Sequence, residues 1–323
     1  MKSKVIVLIV VFIVLVAVAK VIVLGQAFMR VTGLTPVTVV KLLFNGGTQL
    51  RELEGLTNIL LLGIGGGTHE GSDLTDTMIV LSILPLQHTM AMISLPRDLW
   101  SDTLRDKINS AYHYGGFVLA KSTVEDVIGM PIHYAFLVDF SGFQKIIDLV
   151  GGVYVNVTTA FTDSEFPVAG RENDLCGGDP TLACRYEAIH FEKGEQLMNG
   201  NRALQYVRSR HAEGNEGSDF ARSKRQQDVL VALKAKLTDP RVWLSPRLPV
   251  LVRALDDATD TDLNISELAT VGKLTVQVPG GSIKKISFED FLITPPSWQY
   301  DGKYVLVPKE DGSSIQQFIK AQL

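Results

Sequence analysis

The first 24 residues are the most apolar stretch of the chain. Lys2 and Lys4 precede a run of Val, Ile, Leu, Phe and Ala over residues 5–19, and four more apolar residues follow Lys20. About 20 apolar residues span a bilayer, and a lysine near one end of such a segment can reach the headgroups. The pattern therefore predicts a transmembrane signal-anchor over residues 1–24, followed by a juxtamembrane spacer over residues 25–56.

A cleaved signal peptide is the alternative for this segment, because Ala17, Val18 and Ala19 fit the small-x-small cleavage pattern. The apolar run continues beyond that site, which favours the uncleaved anchor. The lysines before the run favour a cytoplasmic amino terminus. We therefore expect a single-pass protein of the cell membrane whose main part is extracytoplasmic.

From about residue 57 onward, short apolar runs alternate with helical patterns. Buried strands are predicted for NILLLGI, TMIVLSIL, TMAMISL, HYAFLVD and GVYVNV. Helical spacing occurs in STVEDVIG, in DFSGFQKIIDLVG and around residues 199–206. This alternation predicts a layered α/β domain.

The clearest helix covers residues 219–237. Ser218 is a suitable N-cap, and Asp239 and Pro240 end the pattern. Beyond this helix, the sequence predicts a short helix over residues 266–272, strands in KLTVQV and KYVLV, and a last helix around residues 314–320.

The apolar stripe of the 219–237 helix ends in polar groups. Extended towards the amino terminus, the stripe reaches Gln226, Arg222 and Asp219, whereas Lys224, Gln227 and Asp228 are assigned to a solvated face. Polar groups on a core-directed line are costly unless they are paired or face a ligand, which indicates a cleft at this helix end. The alternative is a structural pair between Asp219 and Arg222, one helical turn apart.

Arginines concentrate just before and within this helix, at Arg208, Arg210, Arg222 and Arg225. Arginine suits bidentate recognition of phosphate, and a helix amino terminus adds partial positive charge. The 323-residue chain has a net charge of -4 and a pI near 5.9, so it has no global basic field, and nucleic acid is not expected as a partner. A local phosphate pocket is the better interpretation.

A glycine-rich, acidic segment, GIGGGTHEGSDLTDTM, follows the first predicted strand. Its oxygen and nitrogen ligands, Asp73, Asp76, His69 and Glu70, could bind a divalent cation. The alternative is a solvated turn without a metal. The segment is not a P-loop, because the Gly-Lys-Ser/Thr ending is absent.

Charged residues also follow a buried strand in SLPRDLW, where Arg97 and Asp98 lie, and Lys107 lies in the next connection. Strand ends are where α/β sheets commonly build ligand sites. Solvation of the connecting loop is the simpler alternative.

The chain has two cysteines, Cys176 and Cys184, which flank Gly-Gly and Asp-Pro turn signals. In an exported protein such a nearby pair predicts a disulfide that closes a loop. A metal pair is the lesser alternative, because no histidine or further cysteine lies at zinc-ligand spacing around them.

Taken in order and spacing, several segments resemble the LytR-CpsA-Psr family of cell-wall enzymes. They are NILLLGI, TDTMIV, SLPRDLW, KINSAYHYGG, VDFSGF, LVGGVYVNV, GEQLMNGNRALQYVRSR and SDFARSKRQQ. The resemblance covers residues 57–237, with a looser part over 238–323. The expected fold is α/β, a single three-layer α-β-α domain with a central mixed sheet over residues 57–323.

The resemblance implies a phosphotransferase that moves a glycopolymer phosphate from a polyprenyl-pyrophosphate carrier to a peptidoglycan hydroxyl, with Mg²⁺ assisting. It implies that the pyrophosphate ligands are Arg97, Lys107, Arg208, Arg210, Arg222 and Gln226. By motif position, Asp76 resembles the magnesium carboxylate, and Asp73 is a further candidate ligand of the metal. Asp98 and Asp219 resemble the acidic partners that orient those arginines or assist proton removal. The expected catalytic residues are therefore Arg97, Asp98 and Asp219.

One segment departs from the family pattern. Where the family usually has an Asp and an Arg after the first strand, this chain has Gly65 and Gly67, and Leu74 replaces a further arginine. Asp73, Glu70 or His69 would then have to supply the missing metal ligand. Two alternatives for function remain. One is a lipid-pyrophosphate hydrolase, because the sequence does not fix the acceptor. The other is a non-catalytic protein of the wall that binds polyprenyl phosphate, which the replacements at Gly65 and Gly67 would mark.

Overall fold

The computed structural model describes residues 25–26, 49–67, 71–171, 173–243 and 248–323. The predicted anchor over residues 1–24 and most of the predicted spacer lie outside these ranges. Within the described ranges, no helix has both the length and the apolar character needed to cross a membrane.

Fourteen strands and eight helices are assigned within these ranges. The strands are β1 (Thr57–Ile64), β2 (Thr75–Leu84), β3 (Thr89–Ser94), β4 (Trp100–Ser101), β5 (Asp106–Lys107), β6 (Tyr134–Asp139), β7 (Val153–Val157), β8 (Phe161–Pro167), β9 (Tyr186–Phe191), β10 (Gly194–Met198), β11 (Thr259–Thr261), β12 (Ile283–Ile286), β13 (Leu292–Ile293) and β14 (Val307–Pro308). The helices are α1 (Ala111–Ile128), α2 (Phe140–Leu149), α3 (Gly200–Arg208), α4 (Asp219–Leu237), α5 (Pro240–Trp243), α6 (Leu248–Ala258), α7 (Ile265–Gln277) and α8 (Gly312–Gln322).

The central sheet has six strands in the order β11-β6-β1-β2-β3-β12. Strand β1 runs parallel to β6 and antiparallel to β2, and β12 runs parallel to β3. The sheet is therefore mixed, and the predicted α/β class with a central mixed sheet is confirmed.

Alternating residues of the central strands face two separate cores. Leu60, Leu62 and Val80 lie on one face and pack with residues of α1 and α8. Ile59 and Ile83 lie on the opposite face and pack with residues of α7. Because successive side chains of a strand point to opposite faces, strands that are apolar throughout require cover on both sides of the sheet.

A second apolar cluster lies outside the central sheet. It combines residues of the β7–β10 pair, the β8–β9 pair and helices α2, α3 and α4. Its aromatic centre contains Phe161 and Phe191, stacked with ring centroids 5.1 Å apart, and Tyr206. This cluster fixes α3 and α4 against each other, and these helices carry two of the four arginines predicted to bind pyrophosphate, Arg208 and Arg222.

The predicted helix over residues 219–237 is confirmed as α4, with its predicted cap. Ser218 Oγ accepts a hydrogen bond from Ala221 N at 3.1 Å. The assignment of Gln227 to a solvated face is wrong, since its side chain is buried and donates to Ser94 Oγ at 2.8 Å and Met92 O at 3.1 Å. The reason is that α4 packs against β3 with a wider face than its apolar stripe indicates.

The strand predicted for KLTVQV is also wrong, because residues 273–277 are the last part of α7. A capping box between Asn264 and Glu267 starts this helix, and Leu268, Val271 and Leu274 pack on the central sheet at helical spacing. The short run of alternating residues was only a local coincidence within a longer helical period.

The predicted disulfide between Cys176 and Cys184 is confirmed, with an S–S distance of 2.03 Å. The bond closes the loop that joins β8 to β9. The same β8 strand carries Asp163, a residue that organises the candidate site.

Candidate functional site

Asp76 and Arg97 meet because of the register between β2 and β3. Ile79 lies opposite Ser94, so continuing the ladder by three residues brings Asp76 level with Arg97. The Arg97 guanidinium donates a hydrogen bond to Asp76 Oδ1. The Asp76 side chain is half-buried, which leaves part of this carboxylate open to a ligand.

Asp98 holds the next cation in place. Its buried carboxylate accepts a hydrogen bond from Lys107 Nζ at 2.6 Å and lies 3.4 Å from Arg97 Nε. Strands β4 and β5 pair so that Lys107 lies opposite Trp100. Asp98 lies two residues before Trp100 in the chain, so the Lys107 side chain reaches the Asp98 carboxylate. Asp98 therefore orients both Arg97 and Lys107.

The turn after α3 is built around Asp163. Its fully buried carboxylate accepts hydrogen bonds from Ser209 Oγ at 2.7 Å, Arg210 N at 3.0 Å and His211 N at 3.2 Å. Burial by itself would raise the pKa of Asp163, but these hydrogen bonds hold it below its usual value. The anionic carboxylate thus fixes the backbone that presents Arg208 and Arg210.

Asp219, the first residue of α4, connects two of the arginines. Its Oδ1 lies 2.9 Å from Arg222 and 3.4 Å from Arg210. The structural pair between Asp219 and Arg222 is present, and Arg222 also lines the cavity described next. The pair and the ligand site are therefore compatible.

These elements surround a cavity of about 140 Å³. Six of the residues predicted as ligands line it, namely Asp76, Arg97, Arg208, Arg210, Arg222 and Gln226. Asp98 and Asp219 lie behind the lining arginines as their ion-pair partners. Lys107 does not line the cavity but forms an ion pair with Asp98. The cavity lining thus contains four arginines from three separate segments of the chain.

The positive charge in this cavity is incompletely paired among the described residues. Arg97 Nε, Arg222 Nε and Asp219 Oδ1 are buried and make no hydrogen bond, although the ion-pair distances above are short. Burial lowers the pKa of Arg222 to about 10, with Arg97 and Arg210 adding to the effect and Asp219 opposing it. Arg222 remains a cation at neutral pH, held at a cost that a bound anion would offset.

Arg97 differs from Arg222 in its balance of charges. Burial alone would lower the pKa of Arg97, but the carboxylates of Asp76 and Asp98 raise it overall. Arg97 is thus held firmly as a cation. The cavity is suited to a ligand with more than one negative charge, since it offers both a paired arginine and an under-paired arginine.

The two residues predicted to bind the metal, Asp76 and Asp73, lie in different surroundings. Asp76 lies in the cavity, whereas Asp73 is not among the lining residues, and its carboxylate lies 2.8 Å from His113 Nδ1. The His113 hydrogen bond is the main cause that lowers the pKa of Asp73. His69 and Glu70 lie outside the described residues. Gly65, at the end of β1, contributes no carboxylate.

Mg²⁺ commonly binds one or two protein carboxylates together with substrate phosphates and water. The single cavity carboxylate with free surface, Asp76, fits that pattern. Asp163 does not, because its oxygens are occupied by Ser209 and the backbone. Within the described ranges, the cluster that could otherwise hold a metal is Asp174 with Cys176 and Cys184, and the disulfide occupies both sulfurs.

Several cavity residues were not predicted from the sequence. Asp163 carries the same signal as Asp219, since it lies between Phe161 and Phe166 on the buried side of β8. Phe140 lies under Arg208, whose guanidinium carbon is 4.5 Å from the ring centroid. His211 also lines the cavity, with its Nδ1 3.6 Å from Glu165. Only Asp163 could have been found by the alternation of buried and exposed positions.

The fold and cavity together define an α/β protein with an arginine-lined cavity suited to an anion. The model of the LytR_cpsA_psr family matches residues 40–321. The chain therefore belongs to the LytR-CpsA-Psr family.

Curated relatives carry names that describe transfer to the cell wall. The chain is 36% identical over 183 residues to TagV of Bacillus subtilis, named polyisoprenyl-teichoic acid--peptidoglycan teichoic acid transferase, covering 54% of this chain and 42% of TagV. It is 33% identical over 184 residues to TagU of Bacillus cereus, which has the same enzyme name, covering 55% of this chain and 52% of TagU. The chain thus spans about half the length of the curated relatives it matches.

The solved structures support the same fold. The crystal structure of B. subtilis TagV superposes with a TM-score of 0.61 at 27% identity, covering 84% of this chain and 96% of that chain. The similarity extends well beyond the segments that align by sequence.

Proposed function

We propose that this protein transfers a glycopolymer phosphate from a polyprenyl-pyrophosphate carrier to a peptidoglycan hydroxyl and releases polyprenyl phosphate. The observation that carries the proposal is the convergence of Arg97, Arg208, Arg210 and Arg222 on one cavity, with two buried guanidinium N–H groups left without hydrogen bonds. Family membership and the names of the relatives favour the same reaction.

The reaction exchanges one phosphorus–oxygen bond for another. The acceptor hydroxyl oxygen bonds to the phosphorus next to the glycan, and the bond from that phosphorus to the bridging oxygen breaks. The electron pair leaves with polyprenyl phosphate, and the hydroxyl proton passes to a carboxylate or to water. Phosphoryl transfer needs positioning and charge neutralisation rather than covalent chemistry by the protein.

The protein residues divide this work between binding and orientation. The cavity arginines and Gln226 bind the non-bridging oxygens, and Lys107 adds charge through its position beside Asp98. Asp98 and Asp219 act chiefly as orienting groups, because each carboxylate is in ion-pair contact with two cations. Asp76 is the more open carboxylate and is the better candidate for proton removal or for a metal.

Mg²⁺ is part of the proposal as a cofactor held by Asp76, with Asp73 kept as a further candidate ligand. When bound, the ion supplies charge neutralisation on the diphosphate. The single carboxylate that Asp76 offers is consistent with a site completed by substrate oxygens and water.

The location of the protein belongs to the same proposal. We infer a single membrane anchor over residues 1–24, a spacer over 25–56 and a three-layer catalytic domain over 57–323 outside the cytoplasm. A lipid-borne substrate and an anchored enzyme share one surface, which raises the effective concentration of the substrate at the site.

The test is incubation of the purified protein with a lipid-pyrophosphate glycan, Mg²⁺ and peptidoglycan fragments, followed by mass spectrometry. A conjugate joined by a phosphodiester, together with free polyprenyl phosphate, is expected. Free glycan phosphate without a conjugate would instead indicate a hydrolase, and binding without turnover would indicate a non-catalytic binding protein.

Site variants give this test its specificity. Arg97→Ala and Arg208→Ala should each abolish detectable transfer, since both side chains line the cavity. Arg241→Ala is the matched control, because Arg241 is exposed and its ion pair among the described residues is with Asp239, nearby in the chain. Full activity in both cavity variants would overturn the site assignment.

A further inference from the structure

A group of aromatic side chains lies beside the candidate site, and none of them lines the cavity. It consists of Trp100, Tyr114, Trp298, Tyr300 and Tyr304, and we refer to these five residues as the aromatic patch. Trp298 is 77% exposed and Tyr114 is 61% exposed. Large aromatic side chains grouped on a surface usually mark a place where another molecule binds.

Three of the five aromatic side chains make specific contacts, and Trp298 lies in the same turn as Tyr300. Trp100 and Tyr300 form an edge-to-face pair with ring centroids 4.8 Å apart. Tyr114 Oη donates to Asp106 at 3.3 Å, and Lys303 Nζ donates to the other oxygen of Asp106 at 2.7 Å. The patch therefore combines aromatic surfaces with fixed hydrogen-bonding groups at their edges.

The aromatic patch is continuous with the candidate site through the β4–β5 pair. Trp100 lies opposite Lys107, and Lys107 contacts Asp98 beside the cavity. Trp100 N also donates to Leu306 O at 2.9 Å, which fixes the segment bearing Tyr300 and Tyr304 to the same strand. A molecule on the patch would thus lie next to the group that orients Arg97.

Sugar rings match this combination of groups. A pyranose presents one face of C–H groups, which packs against the negative face of an aromatic ring, while its hydroxyls bind carboxylates and ammonium groups. Asp102 accepts from Trp100 Nε1 at 3.0 Å and retains a second oxygen, and Asp106 lies between Tyr114 and Lys303. The patch has the chemistry of a saccharide subsite.

Charge favours one of the two glycans that meet in the proposed reaction. Asp102, Asp106 and Asp301 are matched around the patch by Arg105, Lys107 and Lys303, so the patch has no net positive charge. A donor polymer rich in phosphate, like an anionic membrane surface, would gain no net electrostatic attraction from such a patch. The acceptor glycan strand binds through its sugar rings and hydroxyls and does not depend on that attraction.

We propose that the aromatic patch binds the glycan strand of the peptidoglycan acceptor and delivers its hydroxyl to the arginine cavity. This assignment rests on the transfer proposed above. It names where the acceptor is held, whereas the cavity holds the pyrophosphate.

The experiment measures binding without any lipid donor. Full-length protein in detergent is titrated with a soluble peptidoglycan glycan oligosaccharide, and Kd is obtained by calorimetry. Trp298→Ala and Tyr300→Ala should each raise Kd by about tenfold, the scale of one lost aromatic contact. Trp298→Phe keeps an aromatic face and should restore most of the affinity. Tyr154→Ala, at an exposed tyrosine on β7, should leave Kd unchanged.

Two further titrations separate this inference from the proposed reaction. A short-chain polyprenyl pyrophosphate should bind wild type, Trp298→Ala and Tyr300→Ala equally, which also shows that these variants are folded. Equal oligosaccharide affinity in wild type and both alanine variants would overturn the inference. The inference would also be overturned if the alanine variants bound the oligosaccharide normally but lost affinity for a teichoic acid fragment or for anionic vesicles. A protein that binds the oligosaccharide through the patch but performs no transfer would contradict only the proposed reaction.

Discussion

Two arginines three residues apart on α4 show how differently a buried charge can be accommodated. Arg225 is 2% exposed and donates to Tyr206 O at 3.0 Å, Ser209 O at 2.6 Å, and both the backbone and the side chain of Glu216. Arg222 is 5% exposed, yet its Nε makes no hydrogen bond and its charge is repelled by Arg97 and Arg210.

The difference separates a structural arginine from a binding arginine. Burial lowers the pKa of both groups, so the shift in pKa does not distinguish them. The hydrogen-bonding does, because all three guanidinium nitrogens of Arg225 already donate to protein oxygens, whereas the buried Nε of Arg222 makes no hydrogen bond. We therefore assign Arg225 to the fold and Arg222 to the site.

The largest expected effect is on stability, at Arg225. Arg225→Met leaves the carboxylate of Glu216 and the carbonyls of Tyr206 and Ser209 without their donor. We expect the free energy of unfolding to fall by about 3–5 kcal/mol, measured by denaturant titration. The exposed control Arg241→Met should leave it close to the wild-type value. A loss at Arg225 as small as that of the control would remove the basis of the comparison.

Arg222→Met is expected to show the reverse behaviour. The transfer rate, as kcat/KM, should fall by about 10²–10³-fold, the scale of losing one preorganised donor to a developing charge. Its free energy of unfolding should fall less than that of Arg225→Met, because removing one of three neighbouring cations relieves repulsion. Wild-type transfer in this variant would show that Arg222 is a structural residue like Arg225.

Asp163 extends the comparison to a buried anion. Asp163→Asn weakens the acceptor for Ser209 Oγ and the backbone N–H groups of Arg210 and His211, and we expect a loss of about 1.5–3 kcal/mol at pH 7. Since the folded-state pKa of Asp163 is lowered, its contribution is present above the ordinary pKa of about 4 and disappears as pH falls through the folded value. Unfolding of wild type and variant should therefore differ at pH 7 and converge in acid. A difference that grows in acid would contradict the assigned ionisation.

Gln227 gives the smallest effect, as a neutral group on the same helix. Gln227→Met leaves Met92 O without its side-chain donor and removes the donor to Ser94 Oγ, and we expect a loss of about 1–2 kcal/mol in the free energy of unfolding. The exposed neighbour Lys224 provides the control, as Lys224→Met. Equal stability of the two variants would mean that the buried contacts of Gln227 are energetically neutral.

The strongest predictions from sequence were those in which local chemistry and long-range packing agree. Ser218 and Pro240 mark the ends of α4, and uninterrupted apolar runs mark β1, β2 and β3, whose burial on both faces leaves no other arrangement. Polar groups on the core-directed line of α4 correctly indicated the cavity, since Arg222 and Gln226 both line it.

The remaining features depend on contacts that sequence periodicity does not record. The helical pattern of α4 by itself places Gln227 on the solvent side, but that side of α4 contacts β3, where Gln227 donates to Ser94. Residues 273–277 alternate like a strand, but the helical spacing set by α7 controls their burial. The division between Arg222 and Arg225 was likewise not visible from the sequence, because the acceptors of Arg225 come from α3 and from the turns before α4.

The most direct test of the central claim is calorimetric titration of a short-chain polyprenyl pyrophosphate into wild type, Arg222→Met and Arg241→Met. The account predicts that Arg222→Met weakens Kd by about 10²-fold, the scale of a lost charge-assisted contact, while Arg241→Met binds like wild type. Equal Kd values in all three proteins would contradict the claim that the under-paired arginine of α4 binds the pyrophosphate.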